Sequence, residues 1–105
     1  MPDAPRRMPH KPVFRAKARR DVVNAFIWYE ARRSGLGEQF LLELQRCIGN
    51  IALNPARFPS IHRSFRQAPT HRFPYVVVYR PLSSEVIIMR VFHTKQDPKK
   101  KLGRR

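Results

Sequence analysis

A chain of 105 residues holds one domain with a thin core, and a hydrophobic content of 42% argues against wholesale disorder. Twenty-two Lys and Arg face seven Asp and Glu, giving +15, a field that attracts phosphate backbones, acidic proteins or anionic membranes. One cysteine excludes an internal disulfide, no apolar run approaches the ~20 residues of a membrane span, and MPDAPRRMPH lacks the apolar centre of a secretion signal, so a cytoplasmic protein with no membrane partner is expected.

Residues 1–10 contain three prolines and no periodic pattern, and read as a flexible lead. KPVFRA (11–16) is a short candidate strand. From Ala18 to Arg33 there is no Gly or Pro, and Val22, Val23, Phe26, Ile27 and Tyr29 form one apolar stripe at helical spacing. Asp21 falls in an early turn, where the helix dipole favours a negative charge. SGLG (34–37) breaks the pattern. A second helix is predicted over Glu38 to Leu53, with Phe40, Leu41, Leu44, Ile48 and Ile51 as its stripe and Cys47 as a small buried hydrophobe. Asn54-Pro55 ends it, because the residue before proline is pushed out of helical geometry. The two helices make an antiparallel hairpin, with Phe26 and Leu44 facing each other and the sheet.

No acidic residue occurs between Glu43 and Glu85, a gap that holds Arg46, Arg57, Arg63, Arg66, Arg72 and Arg80. Within it, SIHRSFRQ (60–67) reads as one strand. Strong strands follow near 73–80 and 85–92, with PLSS as the turn. Pairing Arg80 with Glu85 sets Val78 opposite Ile87 and Val76 opposite Met89, an aliphatic face expected to pack on the helices. The other face carries Phe73, Tyr75, Val77, Tyr79, Val86, Ile88, Arg90 and Phe92 and is also largely apolar. Two helices cover only one face, so this second face needs a loop or a partner.

Arg63, Arg66 and Arg72 are candidates for holding phosphate, or are solvated charges. His62 and His71 are nine residues apart with no Cys, Asp or Glu nearby, which makes poor metal ligands; no metal or cofactor is expected. KKKLGRR (99–105) is a basic tail. Without residues 1–10 and 99–105 the chain still has fifteen basic and six acidic residues, so an anionic partner is expected of the domain itself.

The order strand, helix, helix, closing hairpin resembles the RelE/ParE family of toxins from toxin–antitoxin systems. AKARRDVVNAFIWYEARRSG is similar to the family's first helix through Ala18, Arg20, Asp21, Val22, Tyr29 and Gly35. ALNPARFP is similar to its exit from the second helix. YVVVYRPLSSEVIIMRVFHTKQDP is similar to its closing signature through Tyr79, Arg80, Arg90, Val91, His93, Lys95 and Asp97. The resemblance runs from about Lys11 to Pro98. The fold class is then α+β: a short N-terminal strand, an antiparallel helical hairpin, and an antiparallel sheet of about three further strands, with 11–98 as the single toxin domain.

The resemblance implies a cognate acidic antitoxin, to which the second sheet face through Phe73, Tyr75, Tyr79 and Phe92 is assigned. It also implies an acting region at the end of the last strand, with Arg63, Arg66, Arg72, Arg90, His93 and Lys95 as target-binding or nucleic-acid-binding candidates. The family splits by target. RelE-like members cut messenger RNA at the ribosome without a metal, which requires groups to activate the 2′-hydroxyl, stabilise a phosphorane and protonate a leaving oxygen; Arg90, His93 and Lys95 are the catalytic candidates here. ParE-like members poison DNA gyrase and are not known as hydrolases. Val76 stands where the nuclease branch often has an arginine, and no tyrosine follows His93. HTKQDP therefore resembles the ParE and plasmid-stabilisation branch better, and gyrase inhibition is the expected activity. The alternatives are a ribosome-dependent endoribonuclease and a non-toxic nucleic-acid-binding module.

Overall fold

The computed structural model describes residues 9–95; most of the proline-containing lead, Asp97 and the basic tail lie outside the described residues. The elements are β1 (Lys11–Phe14), α1 (Ala16–Arg32), α2 (Leu36–Leu53), β2 (Ser60–His62), β3 (Phe65–Pro69), β4 (Tyr75–Pro81) and β5 (Glu85–His93). They form one five-stranded sheet in the order β1-β5-β4-β3-β2, with β1 parallel to β5 and the other neighbours antiparallel. The α+β class stands. SIHRSFRQ, however, is two strands rather than one: Arg63 adopts a left-handed φ of 51° and the chain turns back on itself between His62 and Phe65.

Both helices begin two residues earlier than their sequence patterns indicate. Because α1 starts at Ala16, its first turn holds no acidic residue and Asp21 lies in the second turn. Its carboxylate serves a tertiary contact rather than the helix dipole. Only three residues separate the helices. Gly35 takes a φ of 89°, a left-handed conformation that costs glycine little. Glu30 then reaches across the turn, and its carboxylate accepts the backbone N–H groups of Gly35 and Gly37, both at 2.8 Å. It thereby satisfies amides left over at the start of α2 and places a negative charge on the positive end of the helix dipole. A Cβ at Gly37 would lie 2.7 Å from the Phe26 ring, so this glycine lets the two helices close together.

The predicted stripe of α1 is wider than the buried strip. Ala18, Ala25 and Tyr29 are buried and Val22 packs at their edge, while Val23 and Ile27 face outward, 54% and 58% exposed. The small side chains of Ala18 and Ala25 let α1 lie low on the sheet, principally against β5. Phe26 is half-buried against α2 rather than central to the core. In α2 the stripe of Phe40, Leu44, Ile48 and Ile51 is buried as its spacing predicts, and Cys47 is buried among them.

The closing hairpin differs from expectation in register and in orientation. Arg80 pairs with Ile87 rather than Glu85, and Tyr79 with Ile88. The next pair is Val78 with Arg90, so Met89 is an extra residue, a β-bulge. The bulge reverses the alternation of β5 beyond it. Val91 pairs with Val77 and joins the core under the helices; Phe92 pairs with Val76 and joins the opposite face. The helices cover Tyr75, Val77, Tyr79, Val86, Ile88 and Val91, not the aliphatic face of Val76, Val78 and Met89. The physical reason is size. Between the helices and the sheet, small residues such as Ala18, Ala25 and Ala68 leave room that aromatic rings fill. Tyr29, Phe40, Phe73 and Tyr75 make an aromatic cluster there with ring centroids 5.0–6.1 Å apart.

Candidate functional site

Two regions carry groups able to act on another molecule: the end of β5, and the outer side of the helical hairpin. The end of β5 is built by a mismatch in strand length. β1 stops at Phe14, opposite Ile88, and Arg15 N–H donates to the Ile88 carbonyl at 3.0 Å. β5 continues to His93. Asp21, descending from α1, caps the uncovered stretch. Its Oδ2 accepts the Val91 N–H at 2.8 Å and the Arg90 Nε at 2.8 Å, and its Oδ1 accepts the Arg90 Nη2 at 2.9 Å. The Arg90 guanidinium also lies 4.2 Å from the centroid of Phe92. Side-chain exposures of 21% for Arg90 and 15% for Asp21 make this a partly buried, two-pronged ion pair, stronger than a solvated one. His93 is half-buried, with its ring edge-on to Tyr75 at 5.4 Å, and its Nδ1 accepts the Lys95 N–H at 3.2 Å. The Lys95 side chain is exposed.

The remaining arginine candidates do not gather around this end. Arg66 turns inward: its Nη1 donates to the Phe58 carbonyl at 2.6 Å and the Ala56 carbonyl at 3.3 Å, pinning the loop after α2. Arg63 is exposed at the β2–β3 turn. Arg72 is exposed with a left-handed φ of 71°, and its Nη2 donates to Gln39 Oε1 at 2.8 Å. Beside it, Glu43 accepts the His71 N–H and pairs with Arg46. The Arg46 hydrogen bond, helped by that amide, holds the Glu43 carboxyl down at about 2. His62 is half-buried in β2 and the side chain of His71 is exposed, and among the described residues no three His, Cys, Asp or Glu side chains form a group able to hold a metal. Cys47 donates its thiol to the Pro69 carbonyl at 3.5 Å, and burial pushes it up to about 11.

The residues assigned to an antitoxin need correction as a surface. Phe73 and Tyr79 lie beneath the helices, and Tyr79 donates its hydroxyl to the Pro55 carbonyl at 2.6 Å, with burial pushing the phenol up to about 12. Phe92 is only 1% exposed on the opposite face, and Tyr75 is half-buried in the aromatic cluster. That opposite face needs no outside cover for its centre: Phe65 and Met89 pack against Val76, Val78 and Phe92, and Arg90 lies over Phe92.

Exposed apolar surface lies instead on the helices. Val23, Ile27 and Trp28 of α1 and Leu42 of α2 are each more than half exposed. Leu42 also lines a groove of about 690 Å³ between the helices and β1, together with Phe14, Val22, Leu41, Leu44 and Ile48, whereas Trp28 lines a separate groove with Asn24, Tyr29, Tyr75 and His93. The sequence carried a sign of this surface, since Val23 and Ile27 widen the stripe of α1 beyond what one buried face accepts.

A family model described as the ParE toxin of the type II toxin–antitoxin system parDE matches residues 13–98. The chain belongs to this family. As a ParE-family chain it is a toxin of a type II toxin–antitoxin system. Its fold is similar to a structure of the chromosomal ParDE system from P. aeruginosa, with a TM-score of 0.72 and 14% identity, over 82% of this chain and 97% of the other. It is also similar to a chain of the RelBE2 toxin–antitoxin complex from Mycobacterium tuberculosis, with a TM-score of 0.62 and 23% identity, over 84% and 94% of the two chains. No curated protein sequence matches at a significant level. Among the described residues no helix is long and apolar enough to cross a membrane.

Proposed function

We propose that this ParE-family toxin inhibits DNA gyrase by binding it in the cytoplasm, and that an acidic antitoxin neutralises it. The observation that supports binding over hydrolysis is the commitment of the polar candidates to internal partners. Arg90 is held by Asp21, Arg66 by two loop carbonyls, and the Tyr79 hydroxyl by Pro55. Metal-free cleavage of RNA needs an acid, a base and cations converging on one phosphate, whereas Arg90 is turned onto Asp21 beside β5, and Arg66 and Tyr79 are both turned onto the loop after α2. His93 and Lys95 at the end of β5 are the side chains offered to the target, with Arg63 and Arg72 as further exposed cations. A RelE-like ribonuclease is the second reading, supported by one feature: His93, Lys95 and Tyr75 lie together at the strand end.

The antitoxin is assigned to the helical side. An amphipathic helix laid in the groove by Val22 and Leu41 covers the exposed Leu42 and the apolar walls around it, and its acidic face meets the strongly basic chain.

The purified toxin is expected to slow gyrase supercoiling and to leave ribosome-bound messenger RNA uncut. Site-specific RNA cleavage without added metal overturns the gyrase reading and establishes the ribonuclease one. His93→Ala and Lys95→Ala should weaken growth inhibition while leaving the fold intact. On the helical side, Leu42→Ser should change stability by no more than about 0.5 kcal/mol, because Leu42 is mostly exposed. The same change should weaken antitoxin binding in calorimetry. Unchanged affinity removes the groove from the interface.

A further inference from the structure

The corner of the sheet where β2, β3 and β4 meet the loop after α2 holds cations and no acid. No Asp or Glu occurs between Glu43 and Glu85, and the fold draws the middle of that span together. Tyr79 donates its hydroxyl to the Pro55 carbonyl at 2.6 Å, the Gln67 N–H donates to the Pro59 carbonyl at 3.1 Å, and Arg66 holds the carbonyls of Ala56 and Phe58. Ser60 of β2 is in register with Arg66 of β3, and Arg66 with Tyr79 of β4. Three exposed arginines stand on this frame. Arg57 lies between the two residues whose carbonyls Arg66 holds, Arg63 makes the β2–β3 turn, and Arg80 follows Tyr79. Neighbouring strands are ~5 Å apart, so the frame from β2 to β4 spans about 10 Å, which long arginine side chains bridge.

Arg63 carries a second sign. Its φ of 51° lies in the left-handed region, where Gly or Asn is at ease and a longer side chain is strained. Among the described residues its side chain joins no ion pair and no hydrogen bond, so the fold itself supplies no reason for arginine at this turn. Arg57 and Arg80 are in no ion pair either; Arg57 lies 5.2 Å from the ring centroid of Phe58. Glu85, just past the β4–β5 turn, stands in register with Lys11 of β1. Protein interfaces set their charges around an apolar centre, whereas a duplex backbone presents closely spaced negative charge alone. The half-exposed apolar residues here, Ile61 on β2 and Leu82 after β4, are separated by β3 and make no such centre.

We propose that this corner binds the phosphate backbone of a nucleic-acid duplex through Arg57, Arg63 and Arg80, with Arg66 as the internal brace that fixes the Arg57 loop. The contacts are to phosphate, so binding is independent of base sequence and falls with salt. The site is separate from the helical groove by Val22 and Leu41 and from the end of β5, and it does not depend on gyrase being the target.

The test is binding of labelled DNA and RNA duplexes of about 20 base pairs, measured by anisotropy from ~50 to ~200 mM salt. Arg57→Glu, Arg63→Glu and Arg80→Glu should each weaken binding about fivefold or more and lower the salt slope by about one. The matched control is Arg33→Glu, an equal change of charge at the exposed residue before α2, whose 18 residues span ~27 Å from there to the corner. It should change affinity by less than about twofold, since at that distance salt screens the charge. Arg63→Asn should melt no lower than the wild type, because it suits the left-handed turn, and should still lose affinity; it keeps the test open if a glutamate variant is unfolded. Binding of either duplex with this pattern supports the site, and the tighter duplex identifies the source of the backbone. Equal losses in Arg33→Glu and the corner variants mean diffuse attraction to a basic chain and overturn the proposal. Competition by polyglutamate as strong as by duplex at equal charge assigns the corner to an acidic protein and also overturns it. Growth arrest on induction reports separately on the toxin reading, so a toxic chain that binds no duplex loses only this site.

Discussion

The two faces of the β4–β5 hairpin are equally apolar in sequence, yet water is kept from them in different ways. Under the helices, Tyr79, Val77, Val86 and Ile88 are sealed by a second layer of the fold, and the aromatic rings of Tyr29, Phe40 and Phe73 fill the gap. On the opposite face Val76, Val78 and Phe92 are almost as inaccessible, but their cover is one side chain deep: Phe65, Met89 and the Arg90 guanidinium. An apolar sheet face therefore does not by itself require a partner. Large side chains on neighbouring strands shade smaller ones between them. The exposed apolar surface of the toxin lies instead on the helices, at Val23, Ile27, Trp28 and Leu42.

The comparison is sharpest when one aromatic residue is removed from each side. Phe40→Ala deletes a fully buried ring from a layer that cannot collapse around the hole, and should cost ~3–5 kcal/mol in urea unfolding. Phe65→Ala removes a half-buried ring from the single-layer side and should cost about 1 kcal/mol. Equal losses would mean that the open face shields water as well as the helices do.

A smaller effect tests the seam between the two sides. Asp21 hangs from α1 and Arg90 belongs to the opposite face, so their ion pair ties the layers around the edge of β5. Asp21→Ala leaves a partly buried guanidinium and the Val91 N–H without the carboxylate, and should cost about 2 kcal/mol. Adding Arg90→Ala should cost less than it does in the wild type, because the two residues act as one unit. Strict additivity in that cycle would mean that the contact is not coupled.

The smallest effect lies away from both faces, at Glu43. Its carboxyl is held near 2 in the folded chain, against an ordinary value of 4.5, chiefly by Arg46 and with help from the His71 amide. A depressed carboxyl stabilises the fold above its unfolded pKa, and that contribution fades as the pH falls from about 4.5 to about 2. Glu43→Gln should therefore flatten the acid limb of a stability–pH curve in this window. An unchanged acid limb would assign it to other carboxylates.

Much of this protein was legible because its signals are local. The absence of Gly and Pro, the repeats of Phe40, Leu44, Ile48 and Ile51, and the alternation of the closing strands each depend on neighbours within a few residues. They established two helices, a terminal hairpin and the family resemblance carried by Tyr79, Arg80, Arg90 and His93. Three features depended on distant parts of the chain. The turn at Arg63 is made by a left-handed non-glycine residue, which no Gly or Asn announces. The bulge at Met89 reverses alternation without any change in composition. The side of the sheet that the helices cover was set by fit, since Ala18, Ala25 and Ala68 leave space that rings fill better than valines. The roles of single arginines belong to the same class. Arg66, Arg72 and Arg90 look alike in sequence; only the packed chain turns one onto loop carbonyls, one onto Gln39 and one onto Asp21, 69 residues away. A side chain's propensity is read from its own type, but its partner is chosen by a geometry that exists only after the layers have closed.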